Sequence, residues 1–258
     1  MEKLYSTQKH NRLTVYHFIR NLLKQCVLHA PIALTKNERI DRQTHRVIKK
    51  VLQNEGIGVD VGAHKGKITA MMVAASPRQQ HYAFEPIPQL FKHLEKKFNE
   101  KVKVYPYALS NSTGISTFNL VTTNMAYSSI RKRPYDRHEL DDYIPVNLNT
   151  LDAVIPSSIQ IQLIKIDVEG AEFLVLEGAM QTIQRCKPIV LFEFGKTGAG
   201  VYGIPSRKMF ALFNQTLRYN IFTLSGWLQQ KEPLTYAQFN HFFIHEKVYF
   251  FLAAPQPD

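Results

Sequence analysis

Ile57-Gly58-Val59-Asp60-Val61-Gly62-Ala63-His64-Lys65-Gly66 is the stretch on which the fold turns. A short apolar run closed by an acid and two spaced glycines is the pattern of a buried strand that bends into a helix. Gly62 and Gly66 can take backbone geometries, or permit a close approach, that a Cβ would block. A helix starting near Gly66 would aim its first N–H groups at a ligand. Such turns also occur in α/β proteins without a ligand, so the turn needs support from further along the chain.

That support comes from His81-Tyr82-Ala83-Phe84-Glu85, a second short strand ending in an acid, followed by Pro86-Ile87-Pro88 and a helical pattern. In a doubly wound sheet the acid closing the second strand lies beside the glycine turn, where an ionised carboxylate accepts both hydroxyls of a ribose. The turn lacks the middle glycine that makes room for a pyrophosphate, and Asp60 would repel one. An adenosine-bearing cofactor without phosphates, such as S-adenosylmethionine, suits it better, with Asp60 available to a sulfonium or amino group. A nicotinamide-dependent oxidoreductase and a non-catalytic adenosine-binding module are the rival readings. The first needs a phosphate-tolerant turn, and the second has no use for acids at the rim.

Outward from this core the chain alternates strands (56–62, 80–85, 102–107) with helices (66–75, 88–98), the pattern of a parallel α/β sheet. Residues 114–150 break the rhythm, with β-rich pieces at 115–121 and 127–130 and the basic run Arg131-Lys132-Arg133-Pro134-Tyr135. This is an insertion beside the cofactor, and Tyr127, Ser128 and Ser129 give it a substrate-facing character. Ile161 to Asp167 reads as a central strand, with Glu169-Gly170-Ala171-Glu172 opening a helix through Ile183. Asp167 then lies at a strand's carboxyl end, where open α/β sheets bind ligands, and Glu169 and Glu193 flank it. A helix is expected near 205–219 and strands at 219–224 and 248–252, with Trp227, Tyr236, Phe239, Phe242 and Phe243 packing against that last strand.

Several stretches in order resemble the FkbM-type S-adenosylmethionine-dependent methyltransferases. They are Asp60 to Gly66, Phe84-Glu85-Pro86-Ile87-Pro88, Tyr107-Ala108-Leu109-Ser110-Asn111 with Gly114, Asn149-Thr150-Leu151-Asp152, Ile164 to Glu172, and Pro188 to Glu193. His64 departs from the Asn often found there. The resemblance covers about residues 55–253. It implies a class I, Rossmann-like methyltransferase fold: a seven-stranded, mostly parallel sheet with an antiparallel last strand, plus N-terminal helices. It implies methyl transfer from S-adenosylmethionine to a hydroxyl of a small molecule, sugar or glycolipid. Asp60, Gly62, Ala63, His64, Gly66, Glu85, Pro86, Ala108, Leu109 and Asp167 would hold the cofactor. Asp167, Glu193 and His64 are the candidate catalytic groups, with Ser128 and Glu169 toward the acceptor. The acids show no metal-ligand spacing, so no metal is assigned.

With 258 residues, 45% hydrophobic and 21% charged, the chain can bury one sizeable core. The net charge of +11 is uneven: residues 1–55 hold eleven Lys and Arg against four acids. Val15, Phe18, Ile19, Leu22 and Leu23 fall at helical spacing there, and a second helix is expected over 36–53. Residues 1–54 are therefore expected to form a basic helical appendage to a methyltransferase domain over 55–258, able to touch an anionic membrane surface peripherally. No nucleic-acid-binding module is recognisable. Cys26 and Cys186 are too few and too far apart for a disulfide framework, and no export signal or membrane span is visible, which points to the cytoplasm.

Overall fold

The computed structural model describes residues 35–257. The chain divides into two compact units, Met1–Arg42 and Gln43–Asp258. The expected helix around Val15 to Leu23 lies outside the described residues, as does Cys26. Helix α1 (Lys36–Leu52) spans the division. At its start the Thr35 hydroxyl accepts from Glu38 N and the Glu38 carboxylate from Thr35 N, a reciprocal cap. At its end Val47, Ile48 and Leu52 are buried, which anchors these last turns in the larger unit.

A seven-stranded sheet forms that unit, in the order β3-β2-β1-β7-β8-β10-β9. The strands are β1 (Gly58–Val61), β2 (His81–Phe84), β3 (Val102–Tyr105), β7 (Leu163–Ile166), β8 (Ile189–Glu193), β9 (Tyr219–Thr223) and β10 (Phe250–Pro255). β1, β2, β3, β7 and β8 are parallel, while β10 runs antiparallel between β8 and β9. The fold is thus the class I methyltransferase sheet that the sequence implied, with the antiparallel strand one place in from the edge. Val59, Val61, Ile164, Ile166, Val190 and Phe192 are all buried because helices cover both faces, each burial contributing about 1.5–3 kcal/mol. Helices α2 (Lys67–Ala75) and α3 (Pro88–Phe98) follow β1 and β2 as expected. Of the aromatics expected on the last strand, Phe239 and Phe242 meet Phe251 of β10 at 5.0 and 6.4 Å, whereas Phe243 stacks on Phe194, Tyr236 meets Phe210 edge-on, and Trp227 lies under Lys50.

The structure departs from the sequence reading in three places. Residues 107–149 carry a second sheet, β4-β6-β5, of β4 (Tyr107–Leu109), β5 (Gly114–Val121) and β6 (Asp141–Asn149). β6 hid from pattern reading because it carries two acids and Pro145, yet it pairs with β5 along its whole length. The helix expected through Ile183 breaks into Glu172–Glu177 and Met180–Cys186. A Cβ on Gly178 would sit 2.0 Å from the Ser110 carbonyl, and the Asp152 carboxylate caps the second piece by accepting from Gln181 N and Thr182 N. The helix near 205–219 is likewise two pieces, Ser206–Ala211 and a π-helical Leu212–Leu217. Among the described residues, no helix is long and apolar enough to cross a membrane.

Candidate active site

The glycine turn is held from within. Gly62 N and Ala63 N both donate to the Phe84 carbonyl, at 3.0 and 3.1 Å, tying the turn to the end of β2. Gly62 has φ 75 and a Cβ there would fall 2.0 Å from the Asp167 carbonyl; Gly66 has φ 72 and a Cβ would strike Phe98 and Leu94. The close approaches these glycines permit are therefore the protein's own. Both belong to the packing that builds the site and have the positive φ and close approaches that a Cβ would block, as the sequence led us to expect.

Glu85 closes β2 and is buried, with Oε2 accepting from His64 N at 2.7 Å and Oε1 from Ile87 N at 3.0 Å. The two amides fix the carboxyl plane and leave each oxygen with a second lone pair. Burial, opposed by those amides, pushes Glu85 up to about 7, so its anion is short of donors. A ribose diol supplies two, and in this respect the site fits an adenosine-bearing cofactor. Pro86 follows on the same rim, and Ala108 and Leu109 are buried on β4, whose neighbour Tyr107 extends a stack through Tyr105 to Phe84. His64, half-buried with φ 49, is lowered from its ordinary value by burial and by Lys65 and Lys165.

Asp60 requires a correction. It is fully buried, accepts from the Thr69 hydroxyl, and has Lys165 Nζ 3.2 Å from Oδ1. The cation it meets is the chain's own, so its expected direct contact with a ligand's amino group is replaced by action through Lys165. Lys165 is the hub of the site, donating to the Gly62 carbonyl at 2.8 Å and the Val61 carbonyl at 3.3 Å and lying 3.5 Å from Asp167 Oδ2. Burial works against its charge, and Asp60 and Asp167 more than offset this, holding the ammonium above the ordinary lysine value.

Asp167, Glu169 and Glu193 meet at the carboxyl ends of β7 and β8, each with an oxygen within 4.8 Å of the others. Burial would raise Asp167, but Lys165 and a hydrogen bond from Glu193 outweigh it and hold it below its ordinary value. Glu193 moves the other way, raised well above its ordinary value by burial and by Asp167 and Glu169. Glu169 rises to about 8 from burial and from Asp167, despite its ion pair with Arg133. The turn beneath them has Glu169 at φ 58 and Gly170 at φ 112, with Gly170 pressed against Gly198. Glu172 Oε1 holds that turn by accepting from Val168 N and Gly170 N. The three oxygens are close enough to hold a metal ion, which the sequence spacing did not suggest, and Lys165 and Arg133 also place positive charge beside them.

The basic run of the insertion reaches over this rim. Arg131 N donates to the Tyr202 hydroxyl and its side chain to the Val201 carbonyl, Lys132 pairs with Asp141, and Arg133 pairs with Glu169 and lies 4.5 Å over the Tyr127 ring. Ser128, expected to face an acceptor, is buried and spends its hydroxyl accepting from Val121 N, which closes the insertion's own loop.

The FkbM methyltransferase domain matches residues 60–219, more than half of the chain. The chain belongs to the FkbM methyltransferase family. Residues 60–219 are accordingly a methyltransferase domain. Similar folds include a methyltransferase FkbM from Methylobacillus flagellatus KT, 15% identical, covering 78% of this chain and 44% of that one at a TM-score of 0.47. An rRNA methylase from Streptococcus thermophilus is 12% identical, covering 87% and 100% at 0.46. A candidate methyltransferase from Streptococcus mutans, solved with SAH, is 10% identical, covering 83% and 97% at 0.46. This chain spans less than half the length of the first of these. No curated protein matches it.

Lys165, Glu172 and Arg133 are the site residues that sequence reasoning missed. Lys165 left a signal, since a charge in the apolar strand Leu163–Ile166 needs buried partners. Arg133 left none, because its partner lies on a distant turn.

Proposed function

We propose that this methyltransferase acts on a hydroxyl oxygen of a small molecule, sugar or glycolipid, and that the Asp167 and Glu193 pair receives the hydroxyl's proton. The observation that carries the reading is the meeting of the rim acids Asp167, Glu169 and Glu193 beside the glycine turn. Glu85 would hold the ribose, with His64, Ala63, Pro86, Ala108 and Leu109 around it, and Lys165 would fix the turn to the rim. When bound, S-adenosylmethionine supplies an electrophilic methyl group. Alignment of the reactants supplies most of the rate, and a base near the hydroxyl supplies the rest. Asp167, kept anionic by Lys165, orients the hydroxyl by accepting its hydrogen bond, and the proton released as the C–O bond forms is taken up by the carboxyl pair. Glu169 shapes the acceptor side.

Asp167→Asn tests this. The amide keeps the size of the side chain but cannot take the proton, so single-turnover transfer from labelled S-adenosylmethionine should fall about 10²–10⁴-fold while SAH affinity changes little. Wild-type-like transfer by the variant would remove Asp167 from the chemistry.

A further inference from the structure

Three buried side-chain atoms among the described residues have no hydrogen-bond partner: Asp60 Oδ1, Ser76 Oγ and Arg133 Nε. The first faces the Lys165 ammonium at 3.2 Å, and the second is a neutral hydroxyl at the end of α2. Arg133 is different. A guanidinium N–H is a charged donor, and leaving one buried and unmade is costly.

The place of that donor matters. Arg133 is 14% exposed, and it touches Glu169 through Nη2 alone while its ring-facing side rests on Tyr127. Nε and an Nη of one guanidinium form the fork that grips two oxygens of an anion side by side. Glu169 engages the Nη2 end, and Nε stands unused. Glu169 is a poor permanent occupant, since its anion faces Asp167 and Glu172 as well as Arg133 and sits on a left-handed backbone. Arg131 and Lys132 are committed to Tyr202, Val201 and Asp141, so their cations secure the insertion.

We propose that the acceptor carries an anionic group presenting two oxygens, a carboxylate or a phosphate, and that Arg133 grips it through Nε and Nη2 in place of Glu169. This rests on the hydroxyl-acceptor reading above and narrows it to acidic acceptors. The methylated hydroxyl and the anionic group would lie on one molecule, the first toward Asp167 and the second toward the insertion. Arg133 is then the specificity residue of the site, and Glu169 is a stand-in that fills the fork between turnovers.

The test is calorimetric titration of the SAH-saturated full chain with D-glucuronate, D-glucose 6-phosphate and neutral D-glucose. At least one acidic sugar should bind about tenfold or more tightly than glucose, and which one does separates carboxylate from phosphate. Arg133→Lys keeps a cation for Glu169, so a purely structural latch survives, but it lacks the fork and should lose the preference for acidic over neutral sugar. Glu169→Gln weakens the internal competitor and should tighten acidic-sugar binding several-fold. Equal binding of acidic and neutral sugars by the wild type, binding of none, or an intact preference in Arg133→Lys overturns the proposal. Weakened acidic-sugar binding in Glu169→Gln does the same. Failure of the chain to bind SAH at all would instead count against the functional reading on which it rests.

Discussion

The two halves of the site are stabilised in opposite ways. On the β1–β2 side, Glu85 is fixed by two backbone amides, the turn amides are spent on the Phe84 carbonyl, and the glycines are locked by packing. On the β7–β8 side, carboxyls from two strand ends and a left-handed turn crowd together and borrow cations from Lys165 and from the insertion. The first half is complete before any ligand arrives. The second crowds carboxyls whose charges raise one another, the kind of environment in which functional groups cluster.

The largest expected effect breaks the rigid half. Gly62→Ala places a Cβ against the Asp167 carbonyl at a positive φ, and the obstacle is backbone, so neither partner can swing aside. Destabilisation of more than about 3 kcal/mol, or loss of the folded state, should appear in thermal melting, and an unchanged melting temperature would refute the packing account.

A middling effect is expected at Glu85. Glu85→Ala should weaken S-adenosylmethionine binding by about 1–3 kcal/mol by leaving the ribose hydroxyls unmatched. The wild type should show the same contact through pH. Free Glu85 titrates at about 7, and ribose donors favour its anion, so binding releases a proton. Affinity measured by calorimetry should therefore be lower at pH 6 than at pH 8; a flat profile would remove Glu85 from the ribose.

The smallest effect sharpens the contrast on the rim side. Glu193 is raised in the folded state, so the fold binds more protons than the unfolded chain above the ordinary glutamate value. Its contribution is fully present at low pH and is lost as pH rises through the raised value. Glu193→Gln cannot ionise, and its melting temperature should gain on the wild type between pH 5.5 and pH 8.5. A constant difference across that range would mean that Glu193 is not held protonated.

The same contrast explains what could be read from the sequence. β1, β2, β7 and β8 are local patterns, short and largely apolar, with an acid at or beyond the end of β2, β7 and β8 and within β1, and parallel order follows from their alternation with helices. Glu85 and the rim acids were placed by that logic. Asp60 was misassigned because a strand's length does not say which face a residue takes, and its buried partner Lys165 comes from β7, the neighbouring strand. β6 and Arg133 depend on contacts across the insertion, where no periodicity announces them.

The Gly62–Asp167 approach, bridged again by Lys165, has a dynamic consequence. The glycine loop and Asp167 share one backbone contact, so neither can open alone. In amide hydrogen exchange they should behave as one cooperative unit, with Gly62, Ala63 and Asp167 protected and released together. Order in the glycine loop then reaches Asp167 through a carbonyl and one lysine, with no separate moving part between them.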